Sequence, residues 1–146
     1  MNNWPDDLQF FPAHNFLDNE LTLRLLGDSS NGLLTGICGG KLMLRYLPFC
    51  FQAGRIFFAL DSDKVEFGDQ ELYFVVQSKT PLEKSVSEDI CVVCRGSLRQ
   101  IDGEREKQRV LALLAGKHPA FSSGETLKLP LYKLSCKHIA GFSSCD

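Results

Sequence analysis

Residues 33–60 read LLTGICGGKLMLRYLPFCFQAGRIFFAL, and this stretch decides the predicted fold. It contains three apolar, strand-like runs, at 33–38, 41–51 and 55–60. The first two runs are separated by Gly39-Gly40 and the last two by a short turn that contains Gly54, as hairpin loops require. Pro48 cannot donate to a strand ladder, so its position indicates an edge strand or a bulge. Residues 33–60 are therefore predicted to form a meander of antiparallel hairpins.

A helix is predicted before this meander, at 16–26. Leucines at positions 17, 21 and 25 fall on one helical stripe, Asn15 is a suitable N-cap, and Gly27 is a suitable C-terminal cap. After the meander, residues 71–77 alternate as a fourth strand. This strand is apolar on both faces, which is typical of a barrel wall that is covered from outside by a helix or a second subunit.

The remaining chain is predicted to form a loop at 78–89, a strand at 90–101, a helix at 104–117 and a last strand at 126–141. Glu104 and Glu106 favour the helix start, and Val110, Leu111 and Leu114 form its apolar stripe. The helices do not alternate with the strands, which argues against a doubly wound parallel sheet. The predicted class is α+β, mainly β, with a small antiparallel β-barrel flanked by two or more helices.

The composition describes an ordinary globular domain. The chain has 146 residues and 16.3 kDa, and we expect a single domain over 1–146. Sixteen Lys and Arg against 18 Asp and Glu give a net charge of −2, which argues against a nucleic-acid binder. The sequence shows no membrane span and no secretory signal, so we expect a cytoplasmic protein with reduced thiols.

Two groups of cysteines invite a metal or redox interpretation. Cys91 and Cys94 form a C-x-x-C pair, but residues three apart in a strand face opposite sides, and no Gly or Pro lies between them. Cys136, His138 and Cys145 supply at most three ligands. We therefore predict inert thiols in both groups and no metal site.

Residues 61–64, Asp-Ser-Asp-Lys, form a candidate phosphate site. In an extended segment Ser62 and Lys64 point to one side, while Asp61 and Asp63 point to the other. A hydroxyl and an ammonium on the same side can hold a phosphate dianion. The alternative is a polar turn between two strands. Similarly, Arg45 in its apolar strand requires an anionic ligand, a neighbouring carboxylate or solvent.

Three sequence segments resemble the FMN-binding split-barrel superfamily of pyridoxamine 5′-phosphate oxidase, which includes nitroimidazole-resistance-like proteins. The resemblance covers about residues 33–142. The first segment is 44–60, with its Arg-x-aliphatic strand, and the second is 61–76, which is similar to a Ser-x-Lys phosphate loop followed by a strand. The third is 92–107, a strand with a central Gly, an Asp turn and a charged helix start; residues 138–141 resemble the last strand.

This resemblance implies a split β-barrel that binds FMN and works as a homodimer with a small-molecule ligand. FMN would then perform the redox chemistry, and the protein would act as a flavin-dependent oxidoreductase of unknown substrate. No side chain stands out as a general acid or base, so no catalytic residue is assigned. The alternatives are a non-enzymatic carrier or sensor that binds flavin or haem, and a ligand-free interaction module. The implied cofactor-binding residues are Arg45, Tyr46, Leu47, Pro48, Leu60, Asp61, Ser62 and Lys64.

The sequence supports the dimer independently of the resemblance. Strands 55–60 and 71–77 are apolar on both faces, yet only two helices are available to cover the outside of a barrel. We expect Phe57, Phe58, Tyr73 and Val75 to be partly exposed in a single chain. Two such patches facing each other across a two-fold axis would remove that exposure.

Overall fold

The computed structural model describes residues 14–16, 18–38, 40–60, 71–82, 86–122 and 129–144. A short 3-10 turn spans Pro119–Ser122. The predicted positions Asp61, Ser62 and Lys64 lie outside the described residues. The helices and strands are β1 (His14–Phe16), α1 (Asn19–Asp28), β2 (Asn31–Cys38), β3 (Lys41–Pro48), β4 (Cys50–Gln52), β5 (Arg55–Ala59), β6 (Glu71–Leu82), β7 (Val86–Gln100), α2 (Glu104–Lys117) and β8 (Leu131–Ser144).

All eight strands of the described residues belong to one antiparallel sheet in the order β3-β2-β6-β7-β8-β5-β4, with β1 paired to β8. β3 stands at one end of this path and contacts β5 near the other end, so the sheet curls into a small barrel. The predicted edge position of Pro48 is confirmed, because β3 is an edge strand. The predicted class, α+β and mainly β, is confirmed as well.

The barrel interior is filled by alternate residues of the strands. Phe58 and Phe74 are fully buried there, and their rings stack with centroids 6.0 Å apart. Phe49, just after β3, meets the Phe74 ring edge-on at 4.8 Å, and Tyr132 of β8 stacks on Phe58 at 6.2 Å. Burial of such aromatic side chains is the main stabilising term for a core of this size.

α2 covers one side of the barrel from outside. Val110 and Leu114 are buried against Phe57 and Ala59, the outward residues of β5. The predicted exposure of Phe57 and Phe58 is therefore wrong, since they are 1% and 0% exposed. Phe57 lies under the helix, and Phe58 points into the barrel.

The hairpin of β6 and β7 is longer than predicted. Residues 78–89 were expected to form a loop, but β6 runs to Leu82 and β7 begins at Val86. The pairing continues from Ser78 opposite Ile90 to Leu82 opposite Val86. The prediction is wrong because the ladder is made by backbone groups, which pair here despite the polar composition and Pro81.

The first helix begins three residues later than predicted. Asp18 is its N-cap, and its carboxylate accepts a hydrogen bond from the backbone N–H of Leu21 at 3.0 Å. Asn15, the predicted cap, lies in β1 opposite Ser143 of β8. The buried face is also shifted: Thr22 and Leu26 are buried, whereas Leu21 and Leu25 are half-buried.

Gly96 marks an irregularity between β7 and β8. The register shifts there, with Arg95 opposite His138 and Gly96 opposite Cys136, so that Lys137 is an extra residue on β8. A Cβ at position 96 would lie 2.0 Å from the carbonyl oxygen of Ser135. Only glycine allows this close approach. Of the described helices, neither has the length and apolarity to cross a membrane.

Candidate functional site

β3 carries the first group of predicted cofactor-binding residues. Arg45 is exposed, and its Nη1 donates a long 3.4 Å hydrogen bond to the carbonyl of Leu44. No ion pair of Arg45 occurs among the described residues. The Tyr46 side chain is 72% exposed, and Leu47 and Pro48 are half-buried. The cation in this apolar strand therefore faces solvent, and β3 presents a charge and an aromatic ring at the surface.

Leu60 follows β5 and is 2% exposed. Its N–H donates to the carbonyl of Pro130 at 3.1 Å, which fixes the chain just before the predicted phosphate segment. Leu47 packs against the same core cluster that contains Leu60. Leu47 of β3 and Leu60 after β5 thus pack in the same core. The side chains at 61–64 lie outside the described residues.

An exposed apolar patch on the β2–β3 hairpin is the main feature that the sequence analysis missed. We call it the hairpin patch, and its members are Ile37, Leu42, Leu44 and Tyr46, which are 60%, 68%, 52% and 72% exposed. Ile37 lies directly opposite Leu42 in the ladder, and Leu44 and Tyr46 alternate with inward residues such as Met43. The signal was present in the sequence as L-x-L-x-Y at positions 42–46.

The hairpin patch continues across the outer face of the sheet. Tyr46 is paired with Leu33, Leu33 with Val75, Val75 with Val93, and Val93 with Ala140, in one row over five strands. Val93, Ala140 and Phe142 form a buried apolar cluster on this face, and Tyr73 and Val75 pack beside it. The predicted partial exposure of Tyr73 and Val75 is confirmed, since both are half-buried.

A polar cleft opens at the Tyr46 end of the hairpin patch, where α1 ends and β2 begins. Its volume is about 300 Å³. The walls are formed by the last turn of α1, the connection to β2, and the outward side chains of β3 and β6. The lining residues are Leu25, Asp28, Ser29, Ser30, Asn31, Tyr46 and Gln77.

A cluster of charges lies on the outer face near the bulge. Glu71 Oε2 accepts a 2.6 Å hydrogen bond from Arg95 Nε, and Glu71 Oε1 accepts a 2.8 Å bond from Lys137 Nζ. Both hydrogen bonds lower the pKa of the Glu71 carboxyl, and the bond from Lys137 has the larger effect. The cluster fixes β6 to β7 and β8 with a surplus of one positive charge.

The cysteines behave as the strand assignment predicts. Cys94 faces the core and Cys91 the outer cluster, so the predicted opposite orientation is confirmed. A hydrogen bond with the Cys136 thiol, together with burial, raises the pKa of Cys94 well above its usual value. Burial likewise raises the pKa of Cys50 to about 11. Within the described part of the chain, no three His, Cys, Asp or Glu side chains are placed to hold a metal ion.

His118 is the C-cap of α2 and has a structural role there. Its backbone N–H donates to the carbonyl of Leu114 at 2.7 Å, and its ring Nε2 lies 2.9 Å from the carbonyl oxygen of Phe49. The imidazole thereby connects α2 to the segment between β3 and β4.

Solved structures of other proteins share this architecture. A protein assigned to 5-nitroimidazole antibiotic resistance from Bacteroides thetaiotaomicron superposes with a TM-score of 0.70 at 10% identity, covering 89% of this chain and 88% of that one. A FAD-binding protein from Mesorhizobium loti gives 0.69 at 10% identity, over 90% and 99% of the two chains. A candidate pyridoxamine 5′-phosphate oxidase from Corynebacterium glutamicum gives 0.59 at 15% identity, over 90% and 94%.

The chain has the split-barrel fold. The split-barrel fold that the sequence resemblance implied is thus confirmed. No protein-family model matches the sequence, and no curated protein matches it at the sequence level. At identities of 10% to 15%, these superpositions establish the architecture of the split barrel. Any assignment of a ligand or a reaction therefore depends on the residues of this chain.

Proposed function

We propose that this split barrel binds FMN at the β3 and β5 segments and acts as a flavin-dependent oxidoreductase in a homodimer. The proposal depends on two features of β3, in a fold shared with a FAD-binding protein: a surface cation that has no ion pair among the described residues, and an exposed aromatic ring. When bound, a flavin supplies hydride or electron transfer.

Arg45 and Tyr46 are neighbours in an edge strand and lie on opposite faces of it. A flavin that reaches around this strand edge would find a cation for its phosphate on one face and a ring surface for its heterocycle on the other. The Arg45 guanidinium makes no ion pair within the described chain, so an anionic group can pair with it without first breaking a salt bridge. The Tyr46 ring is flat and 72% exposed, which suits a planar heterocycle. Ser62 and Lys64, which follow Leu60 directly, would add a hydroxyl and a second cation.

The dimer is supported by the hairpin patch. Ile37, Leu42 and Leu44 are each more than half exposed on one strand pair, and the apolar outer face continues from them over β6. Contiguous apolar surface of this kind is typical of an interface rather than of a monomer's surface. A standard interface needs about 800 Å² from each partner. The exposed side chains of β2 and β3 and the half-buried Tyr73 and Val75 of β6 would contribute to it. We place the two-fold contact on this face.

FMN titration of the apo-protein tests the cofactor. We expect saturable binding, with a yellow protein and quenched flavin fluorescence. Lys64→Ala and Arg45→Ala should each weaken binding by roughly 1.5–3 kcal/mol, as expected for the loss of a charge-assisted hydrogen bond. Lys107→Ala is the matched control, because Lys107 pairs with Glu104 on α2 instead.

The titration also separates the proposed function from its alternatives. Equal FMN affinity in the native protein and in both site variants would refute the assigned phosphate site. Absence of flavin binding together with a haem spectrum would favour the carrier or sensor. Absence of any chromophore or flavin affinity would favour the interaction module.

Light scattering on a size-exclusion column tests the dimer. We expect twice 16.3 kDa at micromolar concentration for the native chain. Leu42→Glu should shift the protein to the monomer, because it places a charge in the proposed contact. Leu23→Glu, at a 45% exposed leucine of α1, serves as the control. A native protein that elutes as a stable monomer would contradict the shared interface.

A further inference from the structure

A group of polar side chains lies on the outer face of β5, β7 and β8, beside α2. We call this group the basic patch, and its members are Arg55, Ser97, Arg99, Lys133 and Ser135. Ser135 of β8 lies between Arg55 of β5 and Ser97 of β7 in one row across three strands. In the next row, Arg99 of β7 lies directly opposite Lys133 of β8. All five side chains face outward, because they alternate with buried core residues of the same strands.

Four side chains of the basic patch are not used by the protein. Arg55 and Arg99 are exposed, and Ser97 and Ser135 are half-buried. Within the described ranges, none of these four side chains makes a hydrogen bond or an ion pair. A guanidinium group carries five N–H donors, and a hydroxyl carries one. These donors are therefore open to a ligand.

The charges of the basic patch oppose folding. Arg99 and Lys133 are directly opposite each other in the ladder, where like charges destabilise a sheet. Glu106 of α2 accepts a 3.1 Å hydrogen bond from Lys133 Nζ and compensates that one charge. Arg99 has no carboxylate partner in the part of the chain that the structure describes. An anion bound over the patch would remove the remaining repulsion.

Glu71 borders the basic patch without neutralising it. It lies opposite Ser97 on β6, and its two carboxylate oxygens accept hydrogen bonds from Arg95 and Lys137. These three residues together carry a surplus of one positive charge. The outer face of β5, β7 and β8 is therefore positive, although the whole chain has a net charge of −2.

The open donors define the chemistry of the ligand. By strand geometry the Cα atoms of Arg55 and Arg99 are about 12 Å apart, two strands across and two residues along. A ligand that meets both guanidinium groups and both hydroxyls therefore needs anionic oxygens along its length. Phe57, the outward apolar residue between them on β5, is 1% exposed under α2, so the accessible surface is polar. Guanidinium groups and hydroxyls form strong, charge-assisted hydrogen bonds with phosphate oxygens.

We propose that the basic patch binds a linear oligophosphate chain. Arg55 and Arg99 bind its two ends, and the hydroxyls of Ser97 and Ser135 donate to the oxygens between them. This site goes beyond the proposed flavin function and lies apart from the hairpin patch on β2 and β3. Ser97 is four residues, or about 13 Å, along β7 from Val93, which belongs to the row of Tyr46.

Calorimetric titration of the full-length chain at low ionic strength tests the ligand class. We expect tripolyphosphate to bind at least about tenfold more tightly than orthophosphate, because only the chain meets both guanidinium groups at once. Tetraglutamate should bind at least about fivefold more weakly than tripolyphosphate, since its side chains lose rotamer freedom on binding. ATP carries the same chain on a nucleoside and should bind no more tightly than tripolyphosphate. Sodium chloride at about 0.5 M should weaken binding through screening.

Substitutions in the basic patch test the site. Arg55→Gln and Arg99→Gln should each weaken tripolyphosphate binding about fivefold, and Ser97→Ala combined with Ser135→Ala about threefold. Without ligand, Arg99→Gln should raise the melting temperature slightly, because it removes the repulsion with Lys133.

Arg24→Gln is the matched control, because Arg24 is an exposed arginine of α1 that pairs with Glu20. It should bind tripolyphosphate as the native chain does, and thermal melts should show that all variants are folded. The tripolyphosphate titration does not depend on FMN binding, and Arg99→Gln should leave any FMN affinity of the native chain unchanged.

Four results would overturn the proposal. The first is that tripolyphosphate does not bind at millimolar concentration or binds no more tightly than orthophosphate. The second is equal affinity for tetraglutamate, which would make the patch a surface for an acidic protein. The third is much tighter binding of ATP, which would show that the nucleoside and not the chain is recognised. The fourth is an equal loss of affinity in Arg24→Gln and Arg99→Gln.

Discussion

The two sides of the barrel have similar apolar residues on their outer faces but differ in what covers them. On β5 the outward Phe57 is 1% exposed, because Val110 and Leu114 of α2 pack over it. The Arg109 guanidinium also lies 5.4 Å from the Phe57 ring centroid. On β3 the outward Tyr46 is 72% exposed at the end of the hairpin patch. Phe57 is thus part of the core, whereas Tyr46 is part of the surface.

This contrast shows why apolar strands alone do not reveal an interface. Both strands alternate between inward and outward residues, and both outward rows contain large apolar side chains. The decisive difference is the position of a single helix, whose apolar stripe can cover only one region of the sheet. The uncovered region is where we place the second subunit and the ligand.

Removal of the covered aromatic should have the largest effect. Phe57→Ala leaves a cavity between β5 and α2, and we expect the free energy of unfolding to fall by about 3–5 kcal/mol. Urea denaturation measures this loss. A change of less than about 1 kcal/mol would mean that α2 does not seal this side of the barrel.

Gly96→Ala should destabilise the sheet by roughly 2–4 kcal/mol, because the new Cβ would collide with the carbonyl of Ser135. Gly116→Ala is the matched control. Gly116 lies in the last turn of α2, and apart from its chain neighbours and the backbone of that helix, no atom of the described residues lies within 4 Å of a Cβ built there. The same substitution there should stabilise the protein by about 0.5–1 kcal/mol. Similar melting temperatures for both variants would contradict the close approach at the bulge.

The Glu71 cluster on the uncovered face predicts a smaller, pH-dependent effect. Bonds from Lys137 and Arg95 lower the pKa of folded Glu71, so its stabilising contribution is complete above the unfolded pKa and is lost as the pH falls through the folded pKa. Glu71→Gln should cost about 1 kcal/mol at pH 7 and little at acid pH.

Denaturation midpoints measured at neutral and acid pH test this effect. Glu104→Gln is the control, since Glu104 is 81% exposed in its pair with Lys107. An equal loss for Glu71→Gln at both pH values would show that its charge does not matter.

The smallest effect is expected for the exposed aromatic. Tyr46→Ala should change the free energy of unfolding of the monomer by about 0.5 kcal/mol or less, since it removes little buried area. Denaturation at protein concentrations below dimer formation measures it. A loss as large as that of Phe57→Ala would show that the Tyr46 side is covered within one chain.

Several elements were predictable from the sequence because they depend on residues that are close together in the chain. The α2 bounds Glu104–Lys117 and the edge position of Pro48 followed from acidic residues at a helix start and from the missing proline N–H. The extension of β6 to Leu82 was not predictable, because backbone pairing with β7 determined it. For the candidate site, the sequence predicted Arg45 and Tyr46 as ligand-binding residues, and this stays a prediction. The cleft between α1 and β6 could not be predicted, because it joins residues such as Asp28 and Gln77 that are distant in the chain.

By itself the sequence determined the local periodicities: three hairpin strands in residues 33–60, a helix at 104–117, and strands with apolar residues on both faces. These features arise from turn chemistry and side-chain alternation within a few residues. The tertiary structure alone decided which outward face α2 covers, which leaves Phe57 buried and Tyr46 exposed. It did so because the two faces are chemically alike, and only the path of the chain through the sheet brings the helix to one of them.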